Sequence, residues 1–184
     1  MLKENIETIL SEITSVVSKI EPDQIDFFTE DILKANKIVV CGAGRVGLAA
    51  KGFAMRLGHL GLSSWALGDM TVPSIGDGDL LIVASGSGET QTIFDITKIA
   101  HSNGSRIAAI TGNENSRIAA LAHRIIVLRA PSKTKSINNM TSIQPMTTLN
   151  EQCLQIIFDA TCLELMRKLS ENHDSMWNRH SNLE

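Results

Sequence analysis

Tyrosine is absent from the chain, and five Phe and two Trp supply all of its aromatic surface. Proteins that bind nucleic acid by stacking need aromatic platforms set in a basic groove. Here Lys and Arg are scattered and the formal net charge is −3, which argues against a nucleic-acid binder. The three cysteines, Cys41, Cys153 and Cys162, are odd in number and lack the spacing of a zinc site. They read as buried, reduced thiols of a cytoplasmic protein. Only four prolines occur, and no Pro/Ser-rich linker or break in composition divides the chain. No apolar run approaches the roughly 20 residues that cross a bilayer. The start, MLKENIETILSEI, has the pattern of an acidic amphipathic helix without the apolar core of a signal peptide.

What is present is enough apolar material, 43% of 184 residues, to bury a core as one domain over residues 1–184. Its expected divisions are N-terminal helices (1–35), an α/β core (37–128), a loop and C-terminal helix (129–171) and a tail (172–184).

The most informative stretch is Ser85-Gly86-Ser87-Gly88-Glu89-Thr90. It follows the apolar run Leu80–Ala84 and precedes a helical pattern with Ile93, Ile96, Ile99 and Ala100 on one face. A strand therefore ends in small, hydroxyl-bearing residues where a helix begins. Unpaired N–H groups and the positive end of the helix dipole suit that corner to a phosphate. Ser85, Ser87 and Thr90 add hydroxyl donors, and Gly86 and Gly88 allow close approach. No Lys follows as in a nucleotide-triphosphate loop. The expected ligand is a phosphorylated small molecule.

In chain order, Leu2, Ile6, Ile9, Leu10, Ile13, Val16, Val17 and Ile20 mark one helix, and Ile25, Phe28, Ile32 and Leu33 a second after Pro22. The first helix packs either on another subunit or within its own chain. Strands are expected at 37–41, 63–67, 80–84, 106–111 and 124–128. Between them come helices through about Leu60, after Thr90, and from Ser116 to Ala122. Continuous apolar strands alternating with helices predict an open, doubly wound, parallel five-stranded sheet: a flavodoxin-like three-layer α/β/α fold with extra N-terminal helices. Ligands then bind at the carboxyl ends of the strands, where the loops after the first and third strands lie. Residues 129–147 read as an exposed loop, Thr148–Leu169 as a final helix, and the remainder as a polar tail in which Trp177 is frayed or docks on a neighbour.

Gly42-x-Gly44-x-x-Gly47 after the first strand matches the dinucleotide fingerprint, with Asp69 near the place of a ribose-binding acid. The second phosphate-type loop and the lack of a further substrate domain count against a hydride-transfer enzyme.

Ser-x-Ser-Gly-x-Thr at 85–90, at the end of the third strand, resembles the signature of the sugar isomerase (SIS) family over about Lys37 to Val127. The resemblance implies that Ser85, Ser87 and Thr90 hold the phosphate of a sugar phosphate. Gln144-Pro145-Met146-Thr147-Thr148-Leu149-Asn150-Glu151-Gln152, with Met55–Gly61 and Gly42–Arg45, is similar to the 6-phospho-3-hexuloisomerase branch. This implies interconversion of 3-hexulose 6-phosphate and fructose 6-phosphate in the ribulose monophosphate route of formaldehyde fixation. It also implies a homotetramer with sites near subunit boundaries. The chain differs from that pattern at Val46, Thr147 and Asn150, positions that bear on the sugar pocket more than on the phosphate site.

Moving a carbonyl between adjacent carbons requires a base that takes a proton from one and delivers it to the other through an enediolate. Glu151, at the start of the last helix, is the candidate; alternatively Thr148-Leu-Asn-Glu151 is a capping box and Glu151 bonds the Thr148 N–H. His59 reads by itself as a surface or packing residue, whereas the family pattern makes it a proton-transfer group reaching a neighbouring subunit's site. Arg45 holds sugar hydroxyls or an oxyanion, or else caps a turn or pairs with Asp69. His101, His123, His173 and His180 are dispersed, and neither a metal nor a cofactor is called for. Rival expectations are a related isomerase, such as one acting on arabinose 5-phosphate, or a non-enzymatic sugar-phosphate-sensing module.

Overall fold

The computed structural model describes residues 1–131 and 141–183; the part of the expected loop at 132–140 lies outside the described residues. Five strands, β1 (Ile38–Gly42), β2 (Ser64–Ala66), β3 (Leu80–Ala84), β4 (Arg106–Thr111) and β5 (Arg124–Val127), pair in parallel in the order β2-β1-β3-β4-β5. Side chains alternate between the two faces. Ile38, Val40, Leu80, Ile82, Ala108 and Ile110 enter one core, and Val39, Cys41, Leu81, Val83, Ile107 and Ala109 the other. Both faces are covered, so the strands read as unbroken apolar runs.

Helices α1 (Leu2–Val17), α2 (Pro22–Lys34), α3 (Gly44–His59) and α5 (Thr148–Leu169) contribute to the first core, and α4 (Gln91–Ser102) to the second. Phe53 stacks on Phe158 with ring centroids 4.1 Å apart, and Phe28 lies 6.3 Å from Phe53, tying α2, α3 and α5 together. Asp31, on α2, bridges Arg106 at 2.9 Å and Arg124 at 3.0 Å, fastening that helix to the starts of β4 and β5. A short last helix, α6 (His173–Trp177), follows α5.

The structure departs from expectation at one segment and adds to it at two others. The helix expected from Ser116 to Ala122 is one 3-10 turn, Ala119–Leu121, because Ile118 N–H bonds the Gly88 carbonyl and Ser116 Oγ accepts from Ala119 N–H. The segment braces the Ser85 loop instead of winding a helix. The apolar stripe of α1 is only partly used within the chain: Val16 is buried, while Leu2, Ile6 and Leu10 are exposed. The described part of the expected exposed loop is tethered, since Glu12 of α1 accepts hydrogen bonds from Ser142 Oγ (2.7 Å), Ile143 N–H (2.9 Å) and Gln144 Nε2 (3.0 Å). Burial opposes ionisation of Glu12, but the bonds from Gln144, Ser142 and Ile143 outweigh it and hold the carboxyl below its ordinary range. Among the described residues, no helix is long and apolar enough to cross a membrane.

Candidate active site

β1 has β2 on one side and β3 on the other, so the chain leaves β1 and β3 in diverging directions and opens a crevice at their carboxyl ends. A cavity of about 310 Å3 lies there. It is lined by Ala43, Gly44, Arg45 and Val46 at the start of α3, by Ala84 to Ser87 and Thr90 before α4, and by Thr147, Asn150 and Glu151 at the start of α5. Three helix N-termini thus converge on one pocket, and their unpaired N–H groups favour an anion.

The glycines shape this corner in ways the sequence pattern does not specify. A Cβ on Gly47 would lie 2.7 Å from the Gly42 carbonyl oxygen, so Gly47 lets α3 cross β1 closely. Gly44 turns the chain at φ +60°. Gly88, at φ +66°, has Ser116 Oγ only 2.0 Å from where its Cβ would be; its smallness serves packing of the loop as well as approach of an anion. Gly86 leaves room for the Asn150 amide, whose Oδ1 lies 3.1 Å from the place of a Cβ.

Within the loop, Ser85 Oγ and Ser87 Oγ accept backbone N–H bonds from Gly88 and Glu89, each at 3.2 Å. Each hydroxyl therefore keeps its own proton to donate. Ser85 Oγ and Thr90 Oγ1 are 3.3 Å apart. Glu89 would repel an anion, but Arg117 engages it: Nε meets Oε2 at 2.6 Å, the Arg117 N–H meets Oε1 at 3.0 Å, and Nη2 bonds the Glu89 carbonyl at 3.0 Å.

Glu151 does not form the capping box that was its alternative reading. Thr147, not Thr148, is the N-cap of α5, and Thr148 N–H bonds the Pro145 carbonyl at 3.2 Å. The Glu151 carboxylate instead receives Thr147 Oγ1–H at 2.7 Å on Oε1 and faces Arg45 Nη1 at 3.0 Å from Oε2. Arg45 also bonds Thr148 Oγ1 at 3.1 Å and pairs with Glu151 where Asp69 was the expected alternative. The Glu151 side chain is 12% exposed and that of Arg45 60%, so an exposed cation covers a sheltered carboxylate. The Arg45 contact lacks the alignment of a hydrogen bond, and Oε2 is buried without one. Asn150 Nδ2 and Gln152 Oε1 are likewise buried without a hydrogen-bond partner among the described residues. Buried polar atoms are nearly always satisfied; three consecutive residues at the start of α5 are exceptions.

The structure brings Gly42, Gly44, Arg45, Ser85, Gly86, Ser87, Gly88, Thr90 and Glu151 to one strand edge. It does not bring His59 there. That residue ends α3, a helix of 16 residues and so about 24 Å long, whose other end carries Arg45. Asn150 and Thr147, known from sequence only as departures from a family pattern, are walls of the pocket. The signal that could have found them is their position one and four residues before Glu151. Among the described residues, no group of three or more His, Cys, Asp or Glu stands together as a metal centre would require. All three cysteines are free and buried, and burial pushes the Cys41 thiol up to about 12.

Residues 31–155 match the SIS domain family. The chain is 38% identical over 181 residues to the 3-hexulose-6-phosphate isomerase of Bacillus subtilis, with 98% of each chain covered. It is 36% identical over 180 residues to the protein of the same name from Mycobacterium gastri, covering 98% of this chain and 90% of that one. A hypothetical protein from Methanococcus jannaschii, whose crystal structure was reported to infer a molecular function of 3-hexulose-6-phosphate isomerase, has the same fold. Its TM-score is 0.86 at 30% identity, over 98% of this chain and 99% of that one. The strand order, the pocket between β1 and β3 and a match from Asp31 to Gln155 agree: the chain belongs to the SIS domain family.

Proposed function

We propose that the protein is an isomerase that interconverts D-arabino-hex-3-ulose 6-phosphate and D-fructose 6-phosphate. The observation that carries this reading is a sheltered carboxylate, Glu151, in the wall of the same cavity as the Ser85–Thr90 anion corner. A phosphate anchored at the corner places the sugar carbons along the cavity, and binding at the unreactive end positions them for proton transfer.

In the forward direction Glu151 removes the proton from C2 of the 3-ketose, and the electrons of that C–H bond form the C2–C3 double bond of a cis-enediolate. The same carboxyl returns the proton to C3. The O2 proton passes to O3 as the C2 carbonyl forms, so O3 ends as a hydroxyl and no proton is lost overall. Arg45, exposed and able to move from Glu151 toward the substrate, offsets the charge that develops on the enediolate oxygens. Thr147 fixes the carboxylate through Oε1 and leaves Oε2 for the carbon acid.

His59 assists opening of the sugar ring in the site of a neighbouring copy, because α3 carries it away from its own pocket. A homotetramer with sites near subunit boundaries is supported by that distance and by the exposed Leu2, Ile6 and Leu10 of α1. Free, buried thiols support a cytoplasmic location.

The test is turnover of 3-hexulose 6-phosphate in D2O, read by NMR of the fructose 6-phosphate formed. Wild type should incorporate solvent deuterium at carbon. Glu151→Gln should lose about 10²–10⁴-fold in rate, the range for a general base, while retaining fructose 6-phosphate binding. Full activity in that variant rejects Glu151 as the base. Tight binding without turnover by wild type marks a sugar-phosphate sensor instead.

A further inference from the structure

Among the described residues lining the cavity between β1 and β3, Arg45 is the one cation, and it stands on Glu151. Arg117, farther along the loop, is engaged by Glu89. The anion corner is therefore left to neutral donors. Some of its own N–H groups are already used inside the loop. Gly88 N–H meets the Ser85 carbonyl and Oγ, and Glu89 N–H meets Ser87 Oγ. This leaves the hydroxyls of Ser85, Ser87 and Thr90, the first N–H groups of α4, and one amide from a different element.

That amide is Asn150, in the first turn of α5, 2% exposed and a wall of the same cavity. From the place a Cβ on Gly86 would take, its Oδ1, Cγ and Nδ2 lie 3.1, 3.2 and 3.4 Å away. Three nearly equal distances mean that the face of the amide, and not its edge, rests on Gly86. The N–H bonds of an amide lie in its plane, so the Gly86 backbone beneath the face does not receive them. Nδ2 is buried with no hydrogen-bond partner among the described residues. A buried donor left unmade carries its full desolvation penalty, which an apolar side chain of the same shape would avoid. A ligand oxygen entering the cavity supplies the missing acceptor.

We propose that Asn150 is a phosphate-binding residue of this site, whose Nδ2–H2 group donates to an oxygen of the ligand's phosphate on the Gly86 side of the corner. The family pattern set Asn150 beside the sugar; its seat on Gly86 moves it to the phosphate. A neutral donor adds binding there without adding charge beside Glu151. The inference rests on the reading of Ser85–Thr90 as a phosphate corner.

Amide NMR of the full-length wild type, titrated with inorganic phosphate, tests the contact directly. The side-chain NH2 signals of Asn150, assigned by their loss in Asn150→Asp, should move downfield to saturation. Signals that stay in place at saturating phosphate overturn the proposal, and that measurement depends on no variant binding anything. Calorimetry supplies the second arm. Asn150→Leu, with the same branching and no donor, should weaken inorganic phosphate and fructose 6-phosphate by the same factor, about tenfold. Asn150→Asp, of the same size but bearing acceptors, should weaken both further. In turnover Asn150→Leu should raise KM and leave kcat within about threefold, as loss of uniform binding does. Without ligand it should keep most of the wild-type melting temperature, because no hydrogen bond is broken, yet lose most of the stabilisation that phosphate confers. Equal phosphate affinity in wild type and folded Asn150→Leu overturns the proposal. A loss confined to fructose 6-phosphate does so too, and assigns the donor to the sugar. Wild type that binds neither ligand rejects the phosphate corner itself, a failure separate from that of Asn150.

Discussion

Thr147 donates its hydroxyl to Glu151 Oε1 at 2.7 Å, so one oxygen of the carboxylate is committed before any ligand arrives and only Oε2 faces the cavity side of Arg45. The side chain that departs from the family pattern at this position is thus in direct contact with the proposed base. Thr147→Val, of similar shape but without the hydroxyl, should lower kcat about tenfold and leave KM within about twofold, since a hydrogen bond to a charged group contributes roughly 1.5–3 kcal/mol. Thr147→Ser should restore most of the rate. Steady-state kinetics of the three proteins decide it; equal kcat values remove Thr147 from the mechanism.

Arg117 neutralises and immobilises Glu89 within the loop that meets the anion. Arg117→Ala removes the guanidinium that offsets the Glu89 carboxylate beside the phosphate. KM for the sugar phosphate should rise by a factor of about 3–5 at low ionic strength and by less in high salt, because both groups are partly exposed and the effect is screened. The kcat should be unchanged. A salt-independent loss of kcat would show that Arg117 supports the loop's shape and not its charge.

Glu12 ties α1 to the segment that leads into Glu151. Glu12→Gln keeps the size but weakens three hydrogen bonds, so stability should fall by about 1–2 kcal/mol and kcat by roughly tenfold through misplacement of Glu151. The carboxyl is held below its ordinary value of 4.5, so its contribution is complete above that pH and fades as the pH falls through the lowered value. Urea melts of wild type and variant should therefore converge in acid. Parallel pH profiles of stability would dismiss the ionised form as the holder of the loop.

The tail is held by Glu171 and Arg179. Arg179 and Ser175 hydrogen bonds bring the Glu171 carboxyl down from 4.5 to about 2. A lowered carboxyl supports docking above pH 4.5 and ceases to do so as the pH falls toward 2. Fluorescence of Trp177 against Trp65 should show the docked tail at pH 4 and its release near pH 2. In Glu171→Gln the tail should be looser throughout, with no step in that window. A wild-type release centred near 4.5 would sink the assignment.

How much of this was legible in the sequence follows from what each feature leaves as a pattern. Leu80–Ala84 followed by Ser85–Thr90 fixes a strand, a turn and a helix start by local composition, and all three lie where expected. Strand order leaves no such mark: Ile38 and Val40 show which residues share a face and nothing about which strand is beside them. The 116–122 segment has helical composition, yet Ile118 N–H bonds the Gly88 carbonyl 30 residues earlier and Ser116 packs against the same glycine, and one turn is all that forms. At the site, Glu151 was visible with two readings, and only the contact with Thr147 in place of the Thr148 N–H removes the cap. Asn150 close against the Gly86 backbone, Arg117 on Glu89 and Arg56 on His59 are contacts made by polar side chains far apart in character from any apolar stripe. Their energy comes from geometry, not periodicity, and a linear reading has no purchase on them.

α3 has a further consequence as a rod with a proposed site residue at each tip. Arg45 belongs to the pocket of its own chain, and His59 is a helix length away. In the assembly proposed above, a subunit crippled at one tip remains a competent donor of the other. Chains carrying Glu151→Gln and chains carrying His59→Gln, each inert alone, should regain turnover when refolded together. The recovered fraction counts the intact pairings and so reveals which copies exchange tips.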